Sequence, residues 1–152
     1  MAVTLLLPEN KDYFRQRILA LKPDSERKFG TMDANQMMRH LRNALETAMG
    51  EVTMPAKANP IVGKTVYFVI THVMTTWPGG KIKAPAYWTP PSDRDFESER
   101  QALLGALDRF MAHYSAGKTP SPHPILGNLS LGQWARLNGI HFKHHFRQFS
   151  IN

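Results

Sequence analysis

The sequence predicts an all-α fold, a four-helix bundle with a long crossover connection, in a single domain of residues 1–152. Three observations carry this. Apolar residues recur at intervals of three and four through several otherwise polar stretches. Two of those stretches open on capping-box patterns, Asp33-Ala34-Asn35-Gln36 and Ser130-Leu131-Gly132-Gln133. One connection, Met74 to Pro91, carries Trp77-Pro78-Gly79-Gly80, Pro85 and Pro90-Pro91, a composition that suits a long irregular link. With 152 residues, 42% apolar and 20% charged, the chain is long enough for one substantial core and short for two.

From the N-terminus, Pro8 to Leu21 sets Phe14, Ile18 and Leu21 at helical spacing among charges, until Lys22-Pro23-Asp24 breaks the pattern. The second helix opens at the Asp33 box and runs to Met49, with Gly50 as its stop. Its stripe is Met37, Leu41, Ala44 and Ala48, and His40 shares that face. Pro60 to Val73 is apolar, rich in Val, Ile and Thr, and holds Gly63; a strand would suit that composition, but it is read as helix. Ser92-Asp93-Arg94-Asp95 caps a strong helix in which Phe96, Leu103, Leu104, Leu107, Phe110, Met111 and Tyr114 recur, ending at Ala116-Gly117. A turn-rich link, Thr119 to Asn128, leads to the Ser130 box and a last helix to about Phe149.

The chain has no Cys, which excludes disulfides, cysteine-ligated zinc and a cysteine nucleophile; any thiol chemistry needs an external thiol. The 19 Lys and Arg against 12 Asp and Glu give +7, which suits an anionic ligand. Basic residues are nevertheless scattered from Lys11 to Arg147 without a nucleic-acid-binding signature, so nucleic acid is not the expected partner. The opening Met1 to Pro8 lacks a basic leader and no apolar run approaches ~18 residues, so a cytoplasmic protein without membrane attachment is expected. Outer apolar positions such as Ile140 suggest a homodimer.

Chemistry concentrates in the last helix. On the wheel from Leu131 to Phe149, Arg136, Lys143 and Arg147 gather on one side. Trp134, Leu137, His141, His145 and Gln148 fall opposite, flanked by Phe142, Phe146 and Phe149. Residues four apart are offset by about 40° and about 6 Å, so His141 and His145 can share one metal ion. His144 falls at the border of the apolar wedge. Two buried imidazoles are hard to satisfy with hydrogen bonds alone, although edge histidines bonded to backbone or water are the plainer alternative. His40 supplies a third inward imidazole, near the middle of its helix as His141 is near the middle of its own. A three-histidine set leaves an open coordination position, the pattern of a catalytic zinc site. His72 is a candidate to line the same pocket, while His113 and His123 are expected at a helix edge and in a structural turn.

Several pieces carry a resemblance. They are Phe29-Gly30-Thr31-Met32, Gln36-Met37-Met38-Arg39-His40-Leu41, Asp93-Arg94-Asp95-Phe96-Glu97-Ser98-Glu99-Arg100, and His123-Pro124-Ile125-Leu126-Gly127-Asn128-Leu129-Ser130. Trp134 and His141-Phe142-Lys143-His144-His145-Phe146-Arg147-Gln148-Phe149 complete them. In this order the chain resembles the DinB/YfiT-like metal-dependent superfamily, in its small uncharacterised bacterial branch. The resemblance implies a four-helix bundle whose divalent ion, zinc or nickel foremost, is held by His40, His141 and His145. One departure is Lys143, where relatives often carry Asp.

Members of that superfamily with known activities include transferases that use low-molecular-weight thiols, and the expected function is of that kind: the metal binds an external thiol as thiolate and delivers it to an electrophile, with Gln148 or Arg147 orienting ligand or substrate. The alternatives are a metal-dependent hydrolase and a non-catalytic stress-related binding module. Hydrolysis calls for a general base, and the nearest acid of the second helix, Glu46, lies well round that helix from His40.

Overall fold

The computed structural model describes residues 3–81 and 86–152, with Tyr87 in its backbone only. Met1, Ala2 and Pro85, which bear on the expectations for the leader and the crossover, lie outside the described residues. Among those residues the regular elements are all helical, with no strand. They are α1 (Lys11–Ala20, after a 3-10 turn Pro8–Asn10), α2 (Ala34–Met49), α3 (Pro60–Phe68, continued by a π-helical turn Val69–Val73), α4 (Phe96–Ser115) and α5 (Leu131–Gln148). A single 3-10 turn, Ala86–Trp88, interrupts the crossover.

Local chemistry explains the helix starts. Asp33 Oδ1 accepts from Gln36 N at 2.7 Å while Gln36 Oε1 accepts from Asp33 N at 2.9 Å, and Ser130 and Gln133 repeat the exchange at 3.1 and 2.9 Å. Each box satisfies two of the amide donors that a helix start leaves unpaired. Asp95, the last of the four candidate residues, is the one that caps α4, accepting from Ser98 N. Asn59 caps α3 through Ile61 N and Val62 N, and Pro60 sits where its missing N–H is harmless. These contacts resolve the strand-or-helix ambiguity of Pro60 to Val73 in favour of helix. Gly63 has its own reason: a Cβ there would lie 2.5 Å from Leu126 O, so α3 can approach the 123–127 turn only with glycine at that point.

Four of the helices meet around one core. α2 packs most extensively on α4, α1 on α4, and α2 on α5. Phe14 of α1 closes the circle by meeting Phe142 and Phe146 of α5, with ring centroids 5.8 and 6.2 Å apart. Met37, Met38, Leu41 and Leu45 of α2 join Leu103, Leu107 and Phe110 of α4 in the same cluster. Each such side chain contributes roughly 1.5–3 kcal/mol by leaving water.

One position departs from expectation. Ile140 is not an outer residue; it is 3% exposed. Leu6 N donates to Ala135 O at 2.9 Å, laying residues 4–6 across the back of α5, where a Cβ on Gly139 would strike Thr4 O. A helical wheel does not show what covers a helix from outside, and a buried Ile140 no longer supports the expectation of a homodimer. Among the described residues, no helix is long and apolar enough to cross a membrane.

Candidate metal centre

α2 and α5 enclose a cavity of about 470 Å³ together with the inner side of α3, the π-helical turn, parts of the crossover and the 123–126 turn. The sequence-predicted face of α5 turns into it: Trp134, Leu137, His141, His145 and Gln148 all line the wall, and His40 lines it from α2. Its described lining includes no Asp, Glu, Lys or Arg.

His40, His141 and His145 converge there. One ring nitrogen of each lies within 4.8 Å of those of the other two, and the Nε2 atoms of His40 and His141 are 2.8 Å apart. Their ring centroids are 4.8 to 5.1 Å apart. His40 and His145 are buried; His141 is half-buried, as suits a ring on a cavity wall. This trio is the one the sequence predicts, and it is chemically able to hold a metal ion.

The outer ring nitrogens settle which lone pairs are free. His40 Nδ1 lies 3.1 Å from Trp88 O, and a carbonyl only accepts, so Nδ1–H donates and the lone pair of the neutral ring resides on Nε2. His145 Nδ1 lies 2.7 Å from Gln148 Oε1, whose amide nitrogen donates to Phe29 O at 2.9 Å. Because the Phe29 carbonyl needs a donor, the amide can face only one way, and His145 must donate from Nδ1. Its Nε2 is then the free donor atom for a metal. Lys28 N donates to Gln148 O at 2.7 Å, which pins the loop to the end of α5. Gly30, at φ +77°, completes the approach: a Cβ there would sit 2.6 Å from Gln148 Nε2.

Electrostatics keeps these rings neutral. Burial pushes His141 and His145 well below the ordinary histidine range, with the neighbouring imidazoles adding to the effect. Burial also lowers His40, against the opposing hydrogen bond to Trp88. Neutral imidazole is the form that binds metal.

The remaining histidines separate. His144 is not a border residue but is 9% exposed, its ring 5.2 Å from Phe29 and 5.7 Å from Trp77. These two residues fold over the edge of α5 from outside the helix, which is why the wheel underestimates its burial. Burial, followed by the charge of Arg147, pushes His144 down to about 4. His72 is exposed, stacked on Phe68 and beside Thr71 Oγ1 at 2.9 Å; it is not among the cavity residues. The π-helical turn carries its side chain outward. His123 is structural, as expected: Nδ1 accepts from Ile125 N and Leu126 N, both at 3.0 Å. Burial pushes it down to about 4.

Two expected helpers change role. Arg147 Nη2 donates to Trp77 O at 2.7 Å and the residue is not among the described residues of the cavity wall, so in this structure it anchors the crossover. Gln148 lines the cavity, yet both ends of its amide are committed, one of them to His145. Glu46 turns toward Arg42 and Arg109, at 3.9 and 3.4 Å, and away from the cavity. Asn138 and the Trp88 carbonyl belong to the site although sequence reasoning passed over both. Asn138 was accessible to it, one turn before His141 on the same face.

The model of a family described as "Protein of unknown function (DUF1569)" matches residues 5–152. No curated protein and no solved structure matches the chain.

Proposed function

Because the chain belongs to the DUF1569 family, whose description carries no activity, we propose its function from the site itself: a divalent-metal-binding protein with a three-histidine centre. The carrying observation is the pair of outer hydrogen bonds, His40 Nδ1 to Trp88 O and His145 Nδ1 to Gln148 Oε1. Metal-ligating histidines are oriented in this way, by an acceptor on the nitrogen remote from the ion. Three neutral nitrogen donors suit zinc or nickel foremost.

The fold fits the same proposal. α1, α4, α2 and α5 contact one another in a closed cycle, with α3 in the long connection between α2 and α4, and this supports reading them as a four-helix bundle, which we propose to be of DinB type.

For the reaction we infer a transferase that uses a low-molecular-weight thiol. An ion held by three neutral ligands keeps its full charge, which lowers the pKa of a thiol or water bound beside it. The protein has no Cys, so the thiol arrives from outside. The described cavity lining contains no carboxylate to act as a general base toward water, which disfavours the hydrolase. Phe29, Trp77 and Trp134 border the cavity and shield it, while Gln148 holds the His145 ring in place. Zinc- or nickel-loaded protein, assayed with a panel of small thiols and electrophiles, should turn over only when a thiol is present. Turnover independent of thiol would eliminate the transferase.

A further inference from the structure

Asn138 stands one turn before His141 on α5, in the cavity wall, with 1% of its surface exposed. Neither Nδ2 nor Oδ1 has a hydrogen-bond partner among the described residues. A buried carboxamide left unpaired is destabilising, and an apolar residue would serve better if packing were its whole purpose. The surrounding wall narrows the class of partner. Trp77, Trp134, Ile70, Leu126 and Leu137 make it aromatic and aliphatic, and its described residues include no Asp, Glu, Lys or Arg, so apart from an ion at the three histidines nothing described in the wall neutralises a charged ligand body. A volume of about 470 Å³ lies within the range of small-molecule sites.

We propose that Asn138 is the ligand-recognising residue of this cavity, which takes an uncharged, mainly aromatic or aliphatic molecule bearing a carboxamide or a similar neutral donor–acceptor group. The carboxamide of Asn138 is matched to such a group because each presents an N–H and a C=O side by side. Specificity follows from the same chemistry: an analogue lacking the polar group leaves Asn138 unpaired in the complex. The assignment rests on taking this cavity as the working site, and it concerns the organic ligand, not the ion.

Three probes that share one ring test it: 1-naphthylacetamide, 1-ethylnaphthalene and 1-naphthylacetate. Their affinities are measured by equilibrium dialysis on the full chain, after chelator treatment and again with zinc. In chelator-treated wild type the amide should bind about tenfold tighter than the hydrocarbon, the worth of about one well-made buried hydrogen bond, and the carboxylate weakest. Asn138→Leu should bind the hydrocarbon at least as well and lose the amide preference. Asn138→Ala, a smaller change, should lose it too. An unchanged ranking in the variants, no preference in wild type, or no binding of any probe would overturn the assignment. A purely structural Asn138 would alter stability and leave the ranking alone, which also overturns it. Failure of the metal centre is read separately, as zinc that does not stay bound, and leaves the ranking in chelated protein intact.

Discussion

His40 and His141, 101 residues apart in the chain, bring their Nε2 atoms to 2.8 Å of each other. His40 donates from Nδ1 to the Trp88 carbonyl, so its Nε2 presents a lone pair toward His141. A proton on His141 Nε2 makes that contact an ordinary N–H···N hydrogen bond, and a metal ion held by both rings would take the place of that proton.

The second hydrogen-bond lock gives the first prediction. Gln148 holds His145 through Oε1 and is itself held by the Phe29 carbonyl. Gln148→Leu removes both contacts and should weaken zinc binding by roughly 10–100-fold, measured by titration against a competing chelator. Gln148→Glu keeps an acceptor for His145 but opposes the Phe29 carbonyl, and should fall between. Equal affinity in all three proteins would show that Gln148 does not orient the ligand.

Gly30 makes a related prediction. An alanine there must occupy φ +77° and place Cβ 2.6 Å from Gln148 Nε2. The left-handed backbone alone costs about 1–2 kcal/mol. Gly30→Ala should therefore lower the melting temperature by roughly 2–8 °C and also weaken metal binding, by displacing Gln148. A loss of stability with no change in metal affinity would separate the loop from the site.

His123 predicts a pH dependence. Its Nδ1 accepts from two backbone amides, and burial pushes its pKa down to about 4 from an ordinary 6.5. The unfolded chain thus binds the proton more readily than the native protein. The contribution is fully present above about pH 6.5 and is lost as the pH falls toward 4. It amounts to about 2–3 kcal/mol for this partly accessible ring. In metal-free protein, His123→Asn should flatten the acid side of the stability profile, followed by urea unfolding from pH 7 to 4. A profile as steep as that of wild type would place the sensitivity elsewhere. His40, His141 and His145, also lowered by burial, act in the same direction and remain in the variant.

The parts of this fold and site legible in the sequence are those fixed by local periodicity and capping. Asp33 with Gln36 and Ser130 with Gln133 announce their helices because each exchange spans three residues. His141 and His145 are legible for the same reason, and His40 because it shares a stripe with Met37 and Leu41. What the wheel cannot show is what covers a helix from outside. Residues 4–6 cross the back of α5 at Ala135 and Gly139, Phe29 and Trp77 bury His144, and the Phe29–Gln148 bond joins residues 119 apart. Arg147, on the basic side of the wheel, likewise bonds the Trp77 carbonyl of the crossover. These contacts depend on the path of the connections, to which helical periodicity is blind.

The most direct test is the metal content of the purified protein after zinc loading and desalting, in wild type and in His40→Ala, His141→Ala and His145→Ala. Three histidines sharing one ion predict about one equivalent of zinc per wild-type chain, with each variant falling to a small fraction of that while circular dichroism shows its helices intact. Wild-type protein that retains no metal, or folded variants that retain as much as wild type, would contradict a metal centre at His40, His141 and His145.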